Sequence, residues 1–463
     1  MADDNKTKDV EVMLGNPKKA ILAMSIPIVV AMVVQNANNL IDSVWVAGLG
    51  PDALAAVGLI FPFFVIMMSI GNGVGVGSSA VIGRLIGQGN KNAADRAASQ
   101  SILMTFVLGI VMSALMLIFQ RPLFIALGAG DAIQECLDYA TPIFLFSTIF
   151  LLNAVMSNLL RSEGASKKSM YSQILAAVIN IVLDPFFIYD FGLGWGMAGA
   201  AWATTVASSI SLILLVYWYF FTDITYLKIH LKGIRFEKVL DKEILRIGFP
   251  ASLEMLVISL VSMIGNVIII MVAGTNGVGV YSSTWRLVQI AMIPMMGFSS
   301  ALVPVCAANY GRRRYDNIKT GFMYSLVLME IVMIIISVIT FVFADQIVTV
   351  FTYSEETAIL KDDMAYGLRA CCLFIPVAPL GFITSGLFQS LGMGTKSLVC
   401  TAIRNVLMLP ICYALAITVG TFESFWFGTV FAEILGILVA GVWGLYTLKA
   451  LMDGRIAGPR AIE

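Results

Sequence analysis

Two aspartates stand where a hydrocarbon environment should exclude them. Asp42 lies in the apolar run 19–47 and Asp184 in the run 169–189. An ionised carboxylate deep in a membrane-spanning helix costs about 2.5–3.5 kcal/mol even on the gentler insertion scales. Gln35, Asn39 and Asp42 follow an i, i+4, i+7 spacing that puts them on one face of a helix, and Asn180 stands one turn before Asp184. Carboxylates and amides are hard oxygen donors, suited to a proton or Na⁺ and unsuited to soft metals. Two acids at one depth repel, so one must be protonated or a cation must lie between them. Reversible binding of a small positive ion is the chemistry on offer. The competing reading is two acids hydrogen-bonded independently within a helix bundle.

The elements that must hold these groups follow from composition. The chain has 463 residues, 59% hydrophobic and 13% charged, with mean hydropathy +0.89. Soluble domains carry about 25% charge, so this is an all-α polytopic membrane protein. Zero net charge gives no argument for nucleic acid, and a single histidine, His230, excludes histidine-cluster metal sites. The six cysteines form no CxxC pair and read as apolar packing residues. Apolar segments able to cross a ~30 Å layer lie near 19–47, 52–83, 98–119, 136–160, 169–189, 195–221, 244–273, 278–307, 320–344, 364–389, 397–419 and 425–448. With no water to satisfy backbone groups, these twelve must be helices. The first is retained as a span, since no small-residue cleavage site follows it. Of the 29 Lys and Arg, only Arg121 and Lys361 fall on one face, while Arg246, Arg286, Arg369 and Arg404 lie within spans or at their edges. The rest crowd the opposite face, which predicts that both termini are cytoplasmic.

Depth can be read the same way. Asp42 stands six residues before Gly48 and Asp184 six before Asp190. At 1.5 Å per residue both sit about 9 Å inside the outer edge. Tyr139, near the outer start of span 4, and Thr204, early in span 6, reach a similar level. Pro27 and Pro250 each remove a helix hydrogen bond in spans 1 and 7, making a static kink or a hinge.

The halves repeat. ILAMSIP (21–27) answers ILRIGFP (244–250), LLRSEGASKKS (159–169) answers LFQSLGMGTKS (387–397), and NIVLDP (180–185) answers NVLMLP (405–410), at a shift of about 225. Two parallel six-span lobes, 1–222 and 244–463, are thus joined by a polar segment, 223–243, as in transporters that rock one half against the other. The second copy has Asn266 near the place of Asp42 and Leu409 at that of Asp184, which confines ion handling to the first lobe. Its own buried charges include Glu254, Arg286, Glu330, Arg404 and Glu433. Glu254 either pairs with Arg404 or attracts a cationic substrate or second ion. GNGVGVG (71–77) lacks GxGxxG spacing and reads as close helix packing, and no Walker-type motif is present.

NPKKAILAMSIPIV (16–29), NNLIDSVWVAGLGPDALAAVGL (38–59), LLRSEG (159–164), NIVLDPFFIY (180–189) and VFTYSEE (350–356) resemble the multidrug and toxic compound extrusion (MATE) transporters, in their DinF-like archaeal and bacterial branch. The resemblance implies a V-shaped arrangement of the two lobes and cation-coupled export of amphipathic, often cationic drugs by a monomer in the cell membrane. No cofactor is implied beyond the coupling ion, H⁺ or Na⁺. It also implies that Asp42, Asn180, Asp184, Thr204 and Tyr139 form a first-lobe cation site, with Asp42, Asn180, Asp184 and Thr204 as Na⁺ ligands. Gln35, Asn39, Asn153 and Ser157 map onto its drug contacts. Glu254 departs from this branch, and its expected span 10 acidic partner is absent from VAPLGFITSG (377–386). A lipid-linked saccharide flippase is the alternative, but should present more intramembrane Arg and Lys for pyrophosphate. An intramembrane aspartyl protease is remoter still: its GxGD match, GAGD (128–131), falls between spans.

Overall fold

Apolar runs bounded by charged or glycine-rich breaks become helices wherever the chain can close its own backbone hydrogen bonds. The computed structural model describes residues 6–230, 236–349, 360–456 and 458. In the first lobe the helices are α1 (Lys8–Leu14), α2 (Pro17–Ala47), α3 (Pro51–Gln88), α4 (Lys91–Ala126), α5 (Ile133–Leu145), α6 (Ser147–Ser162), α7 (Ser166–Ile188) and α8 (Gly196–Phe221). The second contains α9 (Lys238–Gly274) and α10 (Asn276–Gly311), then α11 (Tyr315–Val342), α12 (Ala344–Thr349), α13 (Lys361–Cys371), α14 (Ala378–Ser390), α15 (Gly394–Thr418) and α16 (Phe422–Met452). The VFTYSEE segment and residues 231–235 of the linker lie outside the described residues.

Local chemistry sets the boundaries. Asn16 caps α2, its side-chain oxygen accepting from the amides of Lys18 at 3.0 Å and Lys19 at 3.4 Å, with Pro17 in the first turn. The chain reverses between α9 and α10 at Gly274, whose φ of 65° is open to a residue without Cβ.

Among the described residues ten helices are each long and apolar enough to cross a membrane, and α5 with α6, bent by 52°, make an eleventh passage. The span expected at 364–389 is built from α13 and α14, separated by turns at 372–377, and neither is long enough to span alone. Pro376 cannot continue α13's ladder, and Pro379 lies in the first turn of α14. The fourth passage is therefore interrupted in both halves. Several helices also outrun their apolar cores: α4 begins at Lys91 rather than 98, because its charged first turns project beyond the hydrocarbon.

The lobes meet at their lysine- and arginine-rich ends. A Cβ on Gly77 would collide with the Ile244 carbonyl, one on Gly73 with Ser252 and Gly248, and one on Gly87 with Ala308. Helices α3, α9 and α10 thus touch backbone to backbone, the close packing expected of the 71–77 glycines. Arg84 of α3 and Glu243 of α9 add a nearly buried ion pair at 3.0 Å.

Helix α1 precedes the first apolar run and was not among the expected elements. Its Val10 and Met13 are fully buried. Asp9 pairs with Lys168 of the first lobe at 2.7 Å, and the Leu14 carbonyl accepts from Arg312 of the second at 2.9 Å. The helix clasps both lobes. The linker is anchored to the first lobe: the amides of Leu227, Lys228 and His230 donate to Glu163 (2.8 Å), Asp95 (2.9 Å) and Ser99 (3.0 Å). Burial pushes the Glu163 carboxyl up to about 8, although the Leu227 amide opposes the shift.

Candidate functional site: a two-carboxylate chamber in the first lobe

Helices α2 and α7 lie side by side with their ends away from the charge-rich side in register. The Tyr189 hydroxyl donates to the Trp45 carbonyl at 2.8 Å, and the two rings meet edge to face at 6.2 Å. Counting inward from this bond brings Asp42 and Asp184 to one level. Their carboxyl groups lie within hydrogen-bonding reach of each other, and Tyr139 of α5 is close enough to feel both charges.

Amides tie this pair into the bundle. Asn180 Nδ2 donates to Asp184 Oδ1 at 2.8 Å and to Thr204 Oγ1 of α8 at 3.3 Å. Asn38 Nδ2 donates to Asn180 Oδ1 at 2.9 Å. Asp184 is completely buried, with Asn180 and Asn38 nearly so, while Asp42 is partly accessible. Three oxygens remain without a hydrogen-bond partner: Asp42 Oδ1, Asp184 Oδ2 and Asn38 Oδ1. Buried polar atoms are almost always satisfied, so three orphan oxygens gathered here are groups able to accept a proton or coordinate a cation. The donors are all hard oxygens, which suits H⁺ or Na⁺.

Asp42, Asp184, Asn180, Thr204 and Tyr139 therefore come together. Asn38 joins them and was missed, because the reading fixed on its neighbour Asn39. The signal was available: Asn38 precedes Asp42 by one turn, as Asn180 precedes Asp184. Pro27 is buried within an unbroken α2, about three turns from Asn38 toward the charge-rich end.

The remaining candidates are dispersed. Gln35 Nε2 donates to Asn39 Oδ1 at 3.3 Å, both exposed on α2. Asn153 of α6 is turned toward α8, donating to the Ser208 carbonyl at 2.9 Å and accepting from Ser211 at 3.4 Å. Ser157, one turn further, is buried with its hydroxyl unpartnered. Glu254, in the other lobe, faces Ser397, Gln389 and Thr401, and its Oε1 has no partner. The pairing of Glu254 with Arg404 is not what forms. Arg404 Nε lies 3.4 Å from Glu433 Oε2, its guanidinium 4.7 Å above the Phe382 ring. The cause is steric: Gly436 lets α16 press against Arg404 on α15, since a Cβ there would strike the Arg404 Cα, and Glu433 stands one turn away.

The MatE family model matches residues 27–186 and 250–414, one stretch in each lobe. The multidrug export protein MepA of Staphylococcus haemolyticus is 25% identical over 413 residues, covering 88% of this chain and 89% of its own. A MATE transporter solved in complex with MaL6 is 35% identical, covering 97% of this chain and all of its own, with a TM-score of 0.94. A multidrug resistance MATE transporter of the MOP superfamily in an outward-facing conformation has the same identity and coverage, with a TM-score of 0.93. Family match, relatives and helix-for-helix likeness agree: this chain belongs to the MatE family of transporters.

Proposed function

We propose that the protein is a secondary multidrug exporter that exchanges an entering H⁺ or Na⁺ for an outgoing amphipathic, often cationic compound. One observation carries the coupling: Asp42 and Asp184 face each other inside the first lobe, with an unpartnered oxygen on each. Two carboxylates at that separation exchange a proton between them or hold a cation, and releasing it restores their repulsion. Asn180 and Thr204 fix the orientation of Asp184, Asn38 fixes Asn180, and Tyr139 closes the chamber toward α5.

Ion binding drives export only through unequal affinity for two conformations. In this reading the uncharged chamber favours bending of α2 at Pro27, which reshapes the surface bearing Gln35 and Asn39 and releases the drug. Asn153 and Ser157 line the same lobe, while Glu254 offers a negative charge to a cationic substrate from the facing lobe. The lysine- and arginine-rich end faces the cytoplasm, with both termini, by the distribution of positive charge. The protein works as a monomer in the cell membrane.

Proteoliposomes loaded with a fluorescent cationic drug test this. Asp184→Asn protein should lose gradient-driven export while retaining drug binding, and export at the wild-type rate would sink the mechanism. Imposing a Na⁺ gradient and a pH gradient separately on the wild type identifies the ion.

A further inference from the structure

Repeat symmetry leaves one lysine without its counter-ion. Lys168 and Lys396 hold matching positions in LLRSEGASKKS and LFQSLGMGTKS. Lys168 donates to Asp9 of α1 at 2.7 Å and to the Ile224 carbonyl at 2.9 Å. Lys396, in the first turn of α15, has neither: its ammonium lies 5.9 Å from the Phe388 ring centroid and 5.7 Å from that of Trp443. Among the described residues no carboxylate pairs with it. Lys396 is half-buried, so part of its hydration is already lost. Two ring faces attract a cation, but they do not neutralise it.

The surface beside it is of the opposite character. Trp443, with Leu438, Val439, Val442 and Tyr446 of α16, lines a groove of about 540 Å³ with no polar surface. Val442 and Tyr446 are 69% and 62% exposed. A cation held beside aromatic rings at the charge-rich end of the bundle, continuous with an open apolar depression along a helix, matches one kind of molecule: an anion with a hydrocarbon tail.

We propose that Lys396 and the α16 groove form a binding site for an anionic phospholipid. The phosphate takes the place at Lys396 that Asp9 takes at Lys168, through a charge-assisted hydrogen bond. The acyl chain lies over Val442, Val439 and Leu438, while Trp443 supports the ammonium from below and Tyr446 sits at headgroup depth. A soluble phosphate would bond the lysine but leave the groove bare, so the tail is part of the recognition. Ser397, the next residue, faces Glu254 on the inner side of α15, which sets an occupied lipid site back to back with the second lobe's polar cluster.

Native mass spectrometry of the detergent-solubilised protein, titrated with phosphatidylglycerol, phosphatidylcholine and inorganic phosphate, tests the assignment. Wild type should retain phosphatidylglycerol in preference to phosphatidylcholine and bind phosphate weakly. Lys396→Gln should weaken phosphatidylglycerol about tenfold, the worth of one charge-assisted bond, and leave phosphatidylcholine unchanged, while Lys396→Arg retains the preference. Val442→Trp, which fills the groove without touching the charge, should also displace the lipid and covers the case in which Lys396→Gln fails to fold. Undiminished phosphatidylglycerol binding in Lys396→Gln or in Val442→Trp overturns the proposal. So does inorganic phosphate that binds through Lys396 as tightly as the lipid.

Discussion

The two lobes share one frame and fill the half away from its charge-rich end differently. Asn180 of the first lobe corresponds to Asn405 of the second, and Thr204 to Thr429. In the first lobe Asn180 spends its amide on Asp184 and Thr204. In the second, Asn405 turns back to the Thr401 carbonyl of its own helix at 2.8 Å, and Thr429 to that of Phe425 at 3.0 Å. Leu409 stands where Asp184 would be, and the neighbourhood is aromatic. Trp285 stacks on Tyr281 at 5.9 Å and on Phe374 at 6.0 Å, and Trp426 is completely buried against Tyr281. A six-helix scaffold therefore needs no acid at the place of Asp184 to pack. The carboxylates of the first lobe are an addition to the frame.

The sharpest way to break this contrast is to neutralise the acids. Asp42→Asn and Asp184→Asn should each cut gradient-driven export more than about tenfold, whereas Asn266→Ala in the second lobe leaves it near wild type, as measured by initial efflux rates. The next effect lies in the second lobe's own charges. Arg404→Met alone strands Glu433 and should cost about 3–5 kcal/mol in denaturation experiments, while Arg404→Met with Glu433→Leu returns most of it, because a matched apolar pair replaces a buried ion pair. At the seam, Gly77→Ala and Gly87→Ala should disfavour the sealed charge-rich end by about 1–3 kcal/mol through overpacking, raising the reactivity of a cysteine introduced beside it.

A pH-dependent contrast concerns the strap that ties the linker to the first lobe. Glu163 has an ordinary value of 4.5 and is pushed to about 8 by burial. Below pH 4.5 the folded and unfolded states both carry its proton. Between those values the unfolded chain releases it and the folded chain does not, so stability falls as pH rises through the window and levels off above about 8. Melting curves from pH 5 to 9 should show that slope, and Glu163→Gln should flatten it.

Much of this architecture could be read from residue types. The apolar runs, the repeated NIVLDP and NVLMLP segments and the one-turn spacing of Asn180 and Asp184 each report a local regularity, and each reappears in the helices. What escaped was non-local or lacked contrast. The pairing of Arg404 with Glu433 joins two helices brought together by Gly436, which no single-helix pattern encodes. The break between α13 and α14 passes through Leu373, Phe374, Ile375 and Val377, as apolar as the span around it, with Pro376 as its lone marker. Helix α1 is too short and too charged to stand out from a tail; it forms because its buried side, Val10, Met13 and Leu14, finds a surface assembled from both lobes.

That clasp has a practical corollary for anyone handling the molecule. Helix α1 starts at Lys8, so a fluorescent protein or affinity tag fused at the amino end would pull directly on the element linking Lys168 to Arg312. Turnover recorded with such a fusion would report the weight hung on the latch as well as the pump.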